Sequence, residues 1–169
     1  MDNQLNLRED HTDTLISDFF DSGFQKAFRQ YFAELGIHVR DWDGLFQEMN
    51  RGDEGEKNAA YVRTGPDGGV IGFIMLVPIR FMSWFFEETC GFIREFWVAE
   101  EYRNRGHGAQ LLALAEQYFL EQGIYTGILT TDTAERFYRR HGYVKASGCR
   151  AKNKDEVFTK RLKQTGQPQ

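Results

Sequence analysis

The stretch Trp97-Val98-Ala99-Glu100-Glu101-Tyr102-Arg103-Asn104-Arg105-Gly106-His107-Gly108-Ala109-Gln110-Leu111-Leu112 runs from an apolar strand end, through a basic loop, into the start of a helix. Gly106 and Gly108 stand where the helix begins, directly after Arg103, Asn104 and Arg105. Such a junction favours an anion. The first amides of a helix lack intrahelical partners and carry the positive end of the helix dipole, so they suit phosphate groups. Glycine lets the backbone approach a ligand closely, and guanidinium groups add positive charge. Two familiar phosphate loops are excluded. No Gly-x-x-x-x-Gly-Lys-Ser/Thr string occurs, and Ala109-Gln110-Leu111 after Gly108 lacks the third glycine of a dinucleotide fingerprint. On Gly-x-Gly alone, a plain glycine-rich helix start accounts for these residues as well as an anion site does.

Working outward, the helix runs from Gly108 to Gln122, with Leu111, Leu114, Ala115 and Tyr118 on one face and Gly123 as its stop. A strand, Phe92 to Val98, leads into the loop. Before it, Ala59–Thr64 and Val70–Ile79 form a hairpin across Gly65-Pro66-Asp67-Gly68-Gly69. Towards the N-terminus, Leu5–Arg8 alternates as a short first strand. Thr14–Leu35 has helical spacing with a break at Gly23, and Trp42–Met49 is a further helix capped by Asp41 or Asp43. After the central helix come a strand (Tyr125–Thr130), a helix (Thr133–Arg140, capped by Asp132) and two closing strands, Tyr143–Ser147 and Val157–Leu162. The order β-α-α-β-β-β-α-β-α-β-β is a mixed α/β fold. Residues 1–162 read as a single domain and 163–169 as a flexible tail.

The chain has 169 residues, 41% of them hydrophobic and 27% charged, which is a globular composition. Its 21 Lys and Arg against 25 Asp and Glu leave a net charge of −4, the wrong sign for a general nucleic-acid binder. No basic-then-apolar start resembles a signal peptide, and the longest apolar stretch, Val70–Ile79, is far short of the roughly 20 residues of a membrane span. The expectation is a cytoplasmic protein with Cys90 and Cys149 as free thiols, both read as small buried hydrophobes. No His, Cys and carboxylate spacing suggests a metal site; His11, His38 and His141 lack ligand partners, and His107 matters through its backbone amide.

Beyond the two glycines, Arg103-Asn104-Arg105-Gly106-His107-Gly108 resembles the Arg/Gln-x-x-Gly-x-Gly/Ala loop of the GCN5-related N-acetyltransferase (GNAT) family. About 30 residues downstream, Thr131-Asp132-Thr133-Ala134-Glu135-Arg136-Phe137-Tyr138-Arg139-Arg140-His141-Gly142-Tyr143 resembles that family's Asn-x-x-Ala-x-x-Phe-Tyr-x-x-x-Gly-Phe segment. The motif resemblance covers Phe92 to Val144. It implies a mixed, mostly antiparallel sheet of about six to seven strands flanked by about four helices, splayed between the fourth and fifth strands. It also implies acetyl-CoA as cosubstrate and no metal. Its pyrophosphate would lie on the loop from Arg103 through Asn104, Arg105, Gly106, His107 and Gly108 to Ala109, and its pantetheine arm beside Trp97 and Val98. Tyr138 matches the tyrosine that often protonates the departing thiolate, a role a phenol can fill. Where the family has Asn this chain has Asp132, which accepts hydrogen bonds but does not donate them when ionised. It either contacts the cofactor or only caps the following helix.

A general base is needed to take the amine's proton. Glu95, a charge inside the apolar run Phe92–Val98, is the candidate; pairing with a neighbouring arginine or facing solvent is the alternative. Alternation puts Ile93, Glu95 and Trp97 on one strand face and Arg94, Phe96 and Val98 on the other. For the acceptor, Glu87 and Glu88 beside Trp84 and Phe85 form an acidic, aromatic candidate pocket for a cationic amine. The same aromatics would equally pack on the N-terminal helices or form a homodimer surface. The implied activity is acetyl transfer to a primary amine of a small molecule or peptide, without nucleic acid or membrane as partner. The alternative is a non-catalytic acyl-CoA-binding sensor on the same fold.

Overall fold

The computed structural model describes residues 10–53 and 55–163. A seven-stranded sheet, ordered β1-β2-β3-β4-β5-β7-β6, carries four helices. Chain order is β1 (Thr12–Ile16), α1 (Ser22–Glu34), α2 (Trp42–Arg51), β2 (Ala59–Thr64), β3 (Val70–Met82), β4 (Glu87–Val98), α3 (His107–Glu121), β5 (Thr126–Thr131), α4 (Glu135–Arg140), β6 (Val144–Lys145) and β7 (Glu156–Arg161). All neighbours are antiparallel except β4 and β5.

The expected strand at Leu5–Arg8 lies outside the described residues, as does the tail beyond Lys163. The first described strand is Thr12–Ile16, paired with β2 and cut from the stretch that helical spacing had claimed. The β-branched Thr12, Thr14 and Ile16 favour a strand. Gly23 does not break a helix. It sits in the first turn of α1, behind Asp21, whose carboxylate accepts from the Phe24 amide at 2.8 Å, and there glycine costs little. Asp41, not Asp43, caps α2 by accepting from the Gly44 amide at 2.9 Å.

The sheet buries an apolar layer on each face. On one, α3 lays Leu111, Leu112, Ala115 and Phe119 against Ile74, Leu76 and Ile93. On the other, α1 and α2 pack Phe24, Phe28 and Phe46 against Phe73, Met75 and Trp97. That second layer is an aromatic cluster in which Phe28 alone meets five other aromatic rings within 6.4 Å besides Phe24. The aromatic side chains of α1 and α2 are therefore spent on packing these helices onto the sheet.

Two features of β4 shape the centre. Its pairing with β5 consists of Gly91 opposite Gly127 and Phe92 opposite Ile128, after which the two strands part. This is the splay expected between the fourth and fifth strands. Further along, Ile74 faces Phe96 but Leu76 faces Ile93, so Arg94 and Glu95 together oppose Met75. That is a β-bulge, which bends the strand and changes which way its side chains point. The simple alternation is overturned: Ile93 joins the α3 face with Phe96 and Val98, while Trp97 joins the α1 face.

The β3–β4 hairpin is longer than expected. Phe81 and Met82 end β3, Glu87 and Glu88 open β4, and Ser83–Phe86 is the turn, closed by the Ser83 amide donating to the Phe86 carbonyl at 2.7 Å. Trp84 and Phe85 stand almost wholly exposed at its tip, at 95% and 99%. They pack on no helix. Cys90 is buried but Cys149 is exposed, which corrects the expectation for the latter. Burial, with Glu88 nearby, pushes the Cys90 thiol up to about 11, so it is a poor nucleophile.

Candidate active site

α3 starts abruptly. Gly106, its N-cap, has φ +87°, a left-handed conformation that glycine adopts without steric cost, and no side chain caps the helix. The first intrahelical bond runs from the Gln110 amide to the Gly106 carbonyl at 3.1 Å. The amides of His107, Gly108 and Ala109 thus precede the helix ladder and present the positive end of α3. Beside them lies a cleft of about 500 Å³, lined by Trp97, Val98, Tyr102, Arg103, Asn104, Gly106, Gly108 and Ala109 on one side and by Phe137, Tyr138, Arg140 and His141 on the other. The splay of β4 from β5 opens this groove.

The loop's side chains divide into two sets. Arg103 is tied back: its Nε donates to the Val98 carbonyl at 2.8 Å and its Nη2 to Glu34 at 2.9 Å. Glu34 also accepts from the Trp97 indole at 2.9 Å. Arg105 lies over the Tyr102 ring, 5.7 Å from its centroid. The His107 imidazole turns inward, 4% exposed, against the buried guanidinium of Arg63, whose Nη1 lies 3.0 Å from Nδ1. An arginine only donates, so Nδ1 accepts. Arg63 also grips Asp13 with two bonds of 2.8 and 2.9 Å and donates to Gln110. A β2 residue thereby fastens the first turn of α3 to β1. Sequence reasoning missed Arg63, although a charge inside the apolar run Ala59–Thr64 is the same signal that singled out Glu95.

A second cavity, of about 510 Å³, adjoins the first. Tyr31, Phe32, Leu35 and Ile37 form an apolar wall, with Arg94 and Glu95 on the bulge; Thr130, Thr131, Asp132, Thr133, Asn153 and Asp155 stand opposite. The two cavities share Phe96, Ala134 and Tyr138. Tyr138 is 6% exposed, and burial, with Glu95 nearby, raises its phenol well above the usual value, so it keeps its proton. Glu95 is raised as well: burial outweighs the opposing effects of a hydrogen bond from the Tyr31 hydroxyl, 2.7 Å to Oε2, and of Arg94.

Asp132 departs from expectation. α4 begins after Ala134 with no side-chain cap, and the Thr131 hydroxyl accepts from the Ala134 amide at 3.0 Å instead. Asp132 is exposed and lines the second cavity, not the cleft. Trp84, Phe85, Glu87 and Glu88 belong to neither cavity. Glu88 lies seven residues before Glu95 on β4, about 20 Å at the usual strand rise. Among the described residues, no group of three or more His, Cys, Asp or Glu side chains is placed to hold a metal ion, and no helix is long and apolar enough to cross a membrane.

The profile of the Acetyltransferase (GNAT) family matches residues 13–143. The chain belongs to that family. The match takes in β1 and α1 as well as the two motifs, so the N-terminal half is part of the same unit of resemblance. No curated protein matches the sequence significantly. Among solved structures, a GNAT-family acetyltransferase from Staphylococcus aureus Mu50 superposes with a TM-score of 0.63 at 17% identity, covering 90% of this chain and 100% of its own. Arabidopsis thaliana NAA60, solved with a bisubstrate analogue, gives 0.63 at 15% identity, covering 89% of this chain and 98% of its own. N-acetylglutamate synthase from Neisseria gonorrhoeae, solved with coenzyme A and N-acetyl-glutamate, gives 0.64 at 15% identity over 90% of this chain and 36% of its own. These likenesses establish the GNAT fold.

Proposed function

We propose that this GNAT protein transfers the acetyl group of acetyl-CoA to a primary amine of a small molecule or peptide, by direct attack in a ternary complex. The observation that carries the reading is the meeting of two cavities at Tyr138, one at the uncapped start of α3 and the other holding Glu95. A two-substrate transfer needs two chambers with a shared reacting point, and proximity there supplies much of the rate.

The cleft fits the cofactor's polar end. The first-turn amides of α3, at His107, Gly108 and Ala109, would hold the diphosphate at the positive end of the helix, with Arg105 adding charge. The parted edge of β4 at Trp97 and Val98 would hold the amide-bearing arm. Arg103 lines the cleft and, tied to Glu34 and Val98, also braces the loop. Bound acetyl-CoA supplies an activated thioester carbonyl. Glu95, whose carboxyl burial raises from its usual value, takes the amine's proton directly or through water, and the raised basicity favours that work. Tyr138 holds a proton at its phenol oxygen beside the shared boundary, available to a departing sulfur.

The second cavity is the better acceptor chamber than the hairpin tip. Its wall carries Glu95, Asp132 and Asp155 against Arg94, a balance that supports a cationic amine. The test is calorimetric titration with acetyl-CoA, followed by thiol-release assays over polyamines, amino acids, aminoglycosides and peptide N-termini. Binding and amine-stimulated thiol release are expected. No binding at millimolar cofactor overturns the reading; binding with slow, amine-independent hydrolysis favours the sensor.

A further inference from the structure

Tyr31 belongs to neither motif, yet it hydrogen-bonds Glu95 directly. Its hydroxyl donates to Oε2 at 2.7 Å across 64 residues of sequence. Both residues line the second cavity, as Tyr138 does. The Tyr31 ring is fixed from behind by edge-on packing against Phe28 and Phe73, two fully buried rings, with centroids at 5.9 and 5.8 Å. The hydroxyl therefore has little freedom to follow a carboxylate that moves. Glu95 in turn sits on the bulge, where the strand is bent out of its regular ladder.

We infer that Tyr31 is a positioning residue for acetyl transfer: it commits one oxygen of Glu95 and so aims the other at the proton of the acceptor amine. The inference rests on the reading of Glu95 as the group that serves the acceptor. A hydrogen bond to a carboxylate is stronger when that carboxylate is ionised, so Tyr31 opposes the effect of burial. The groups on the cavity around Glu95 are Arg94 on its own strand, Tyr31 on α1, Tyr138 on α4, Asp132 before α4, and Asp155 before β7. Arg94 favours the charged form, and Asp132 and Asp155 line the same cavity. Tyr31 is the neutral donor among them with a direct bond.

The sign follows. A base works only when deprotonated, so the rate falls on the acid side of its titration. Without the Tyr31 hydroxyl, burial is less opposed and that acid limb moves to higher pH. The experiment compares wild type with Tyr31→Phe, which keeps the ring that packs on Phe28 and Phe73. The readouts are kcat/KM for the best amine against pH, and the carbon NMR titration of the Glu95 carboxyl, with Glu95→Gln to identify its signal. Both midpoints should rise together by about one pH unit, the size expected of one hydrogen bond to a charged group, with KM for acetyl-CoA within about twofold. An unmoved carboxyl midpoint, or a uniform loss of rate at every pH without a shifted limb, overturns the inference. If the carboxyl midpoint moves but wild type transfers acetyl to no amine, the acetyltransferase reading has failed and the role of Tyr31 in transfer falls with it. Intact turnover with an unmoved midpoint sinks the Tyr31 inference alone.

Discussion

The cleft at the start of α3 draws on two short runs of chain, Phe96–Ala109 and Ala134–His141, whereas the cavity around Glu95 gathers side chains from α1, the segment after it, the β4 bulge, β5 and the approach to β7. The first is built mainly from backbone: the opening turn of α3, a left-handed glycine and a parted strand edge. The second is built from side chains that meet only in the folded state. A cofactor common to a whole family suits a chamber made of backbone, because backbone is insensitive to most substitutions. An acceptor particular to one protein suits a chamber that can change one side chain at a time.

That contrast can be broken most directly at Glu95. Glu95→Gln should lower kcat/KM for the amine by roughly 10²- to 10⁴-fold, the usual worth of a general base, while calorimetry finds acetyl-CoA affinity within about threefold. An equal loss in both would show the two chambers to be one. The same variant should be slightly more stable at neutral pH. A carboxyl raised in the folded state contributes stability below its unfolded value, and that contribution is lost as pH rises through the folded one, so at neutral pH ionised Glu95 is a burden. A Tm gain on the order of 2 °C at pH 7, vanishing in acid, is expected by calorimetry.

Tyr138→Phe comes next. Because Tyr138 borders both chambers, kcat should fall on the order of 10²-fold with KM for both substrates little changed. Retained kcat in a rapid-quench or steady-state assay would reduce Tyr138 to packing.

A pair of glycine changes sharpens the backbone side. Gly106→Ala must force a methyl-bearing residue to φ +87°, costing about 1–2 kcal/mol and weakening acetyl-CoA about tenfold. Gly108→Ala meets Phe137 and Phe96 at 3.6 and 3.7 Å, ordinary contact distances, and should change affinity by less than about twofold. Equal effects in a titration would mean that φ is not the property the loop requires.

The smallest effect belongs to the hairpin tip. Trp84→Ser with Phe85→Ser removes two side chains that touch neither chamber, and kcat/KM and Tm should stay within the scatter expected of surface changes, about 0.5 kcal/mol. A change in amine preference would return the acceptor to the acidic, aromatic run Trp84–Glu88.

What could be read from sequence follows the same division. The helix start at Gly106, the loop before it and Tyr138 lie in contiguous runs with fixed spacing, so they were legible. Most of the element order was legible too, but the strand Thr12–Ile16 was not, because Thr14-Leu15-Ile16 fits the start of a helix as well as a short strand. The bulge was not, because alternation assumes that every residue has one partner across the ladder, and Arg94 and Glu95 share Met75. Tyr31 was hidden among aromatics at helical spacing, nearly all of which are core. Its hydroxyl sets it apart from Phe28 and Phe32, but nothing local shows that this hydroxyl reaches a carboxylate 64 residues away.

The bulge amounts to a question of parity. With Arg94 removed, Ile93, Glu95, Phe96, Trp97 and Val98 would alternate in a plain ladder and each would keep the face it has now. Three nucleotides of coding sequence therefore separate a β4 in unbroken register with β3 from the bent strand that carries Glu95. In genetic terms, an in-frame deletion of codon 94 would keep the order of core-facing side chains while removing the bend on which Glu95 sits.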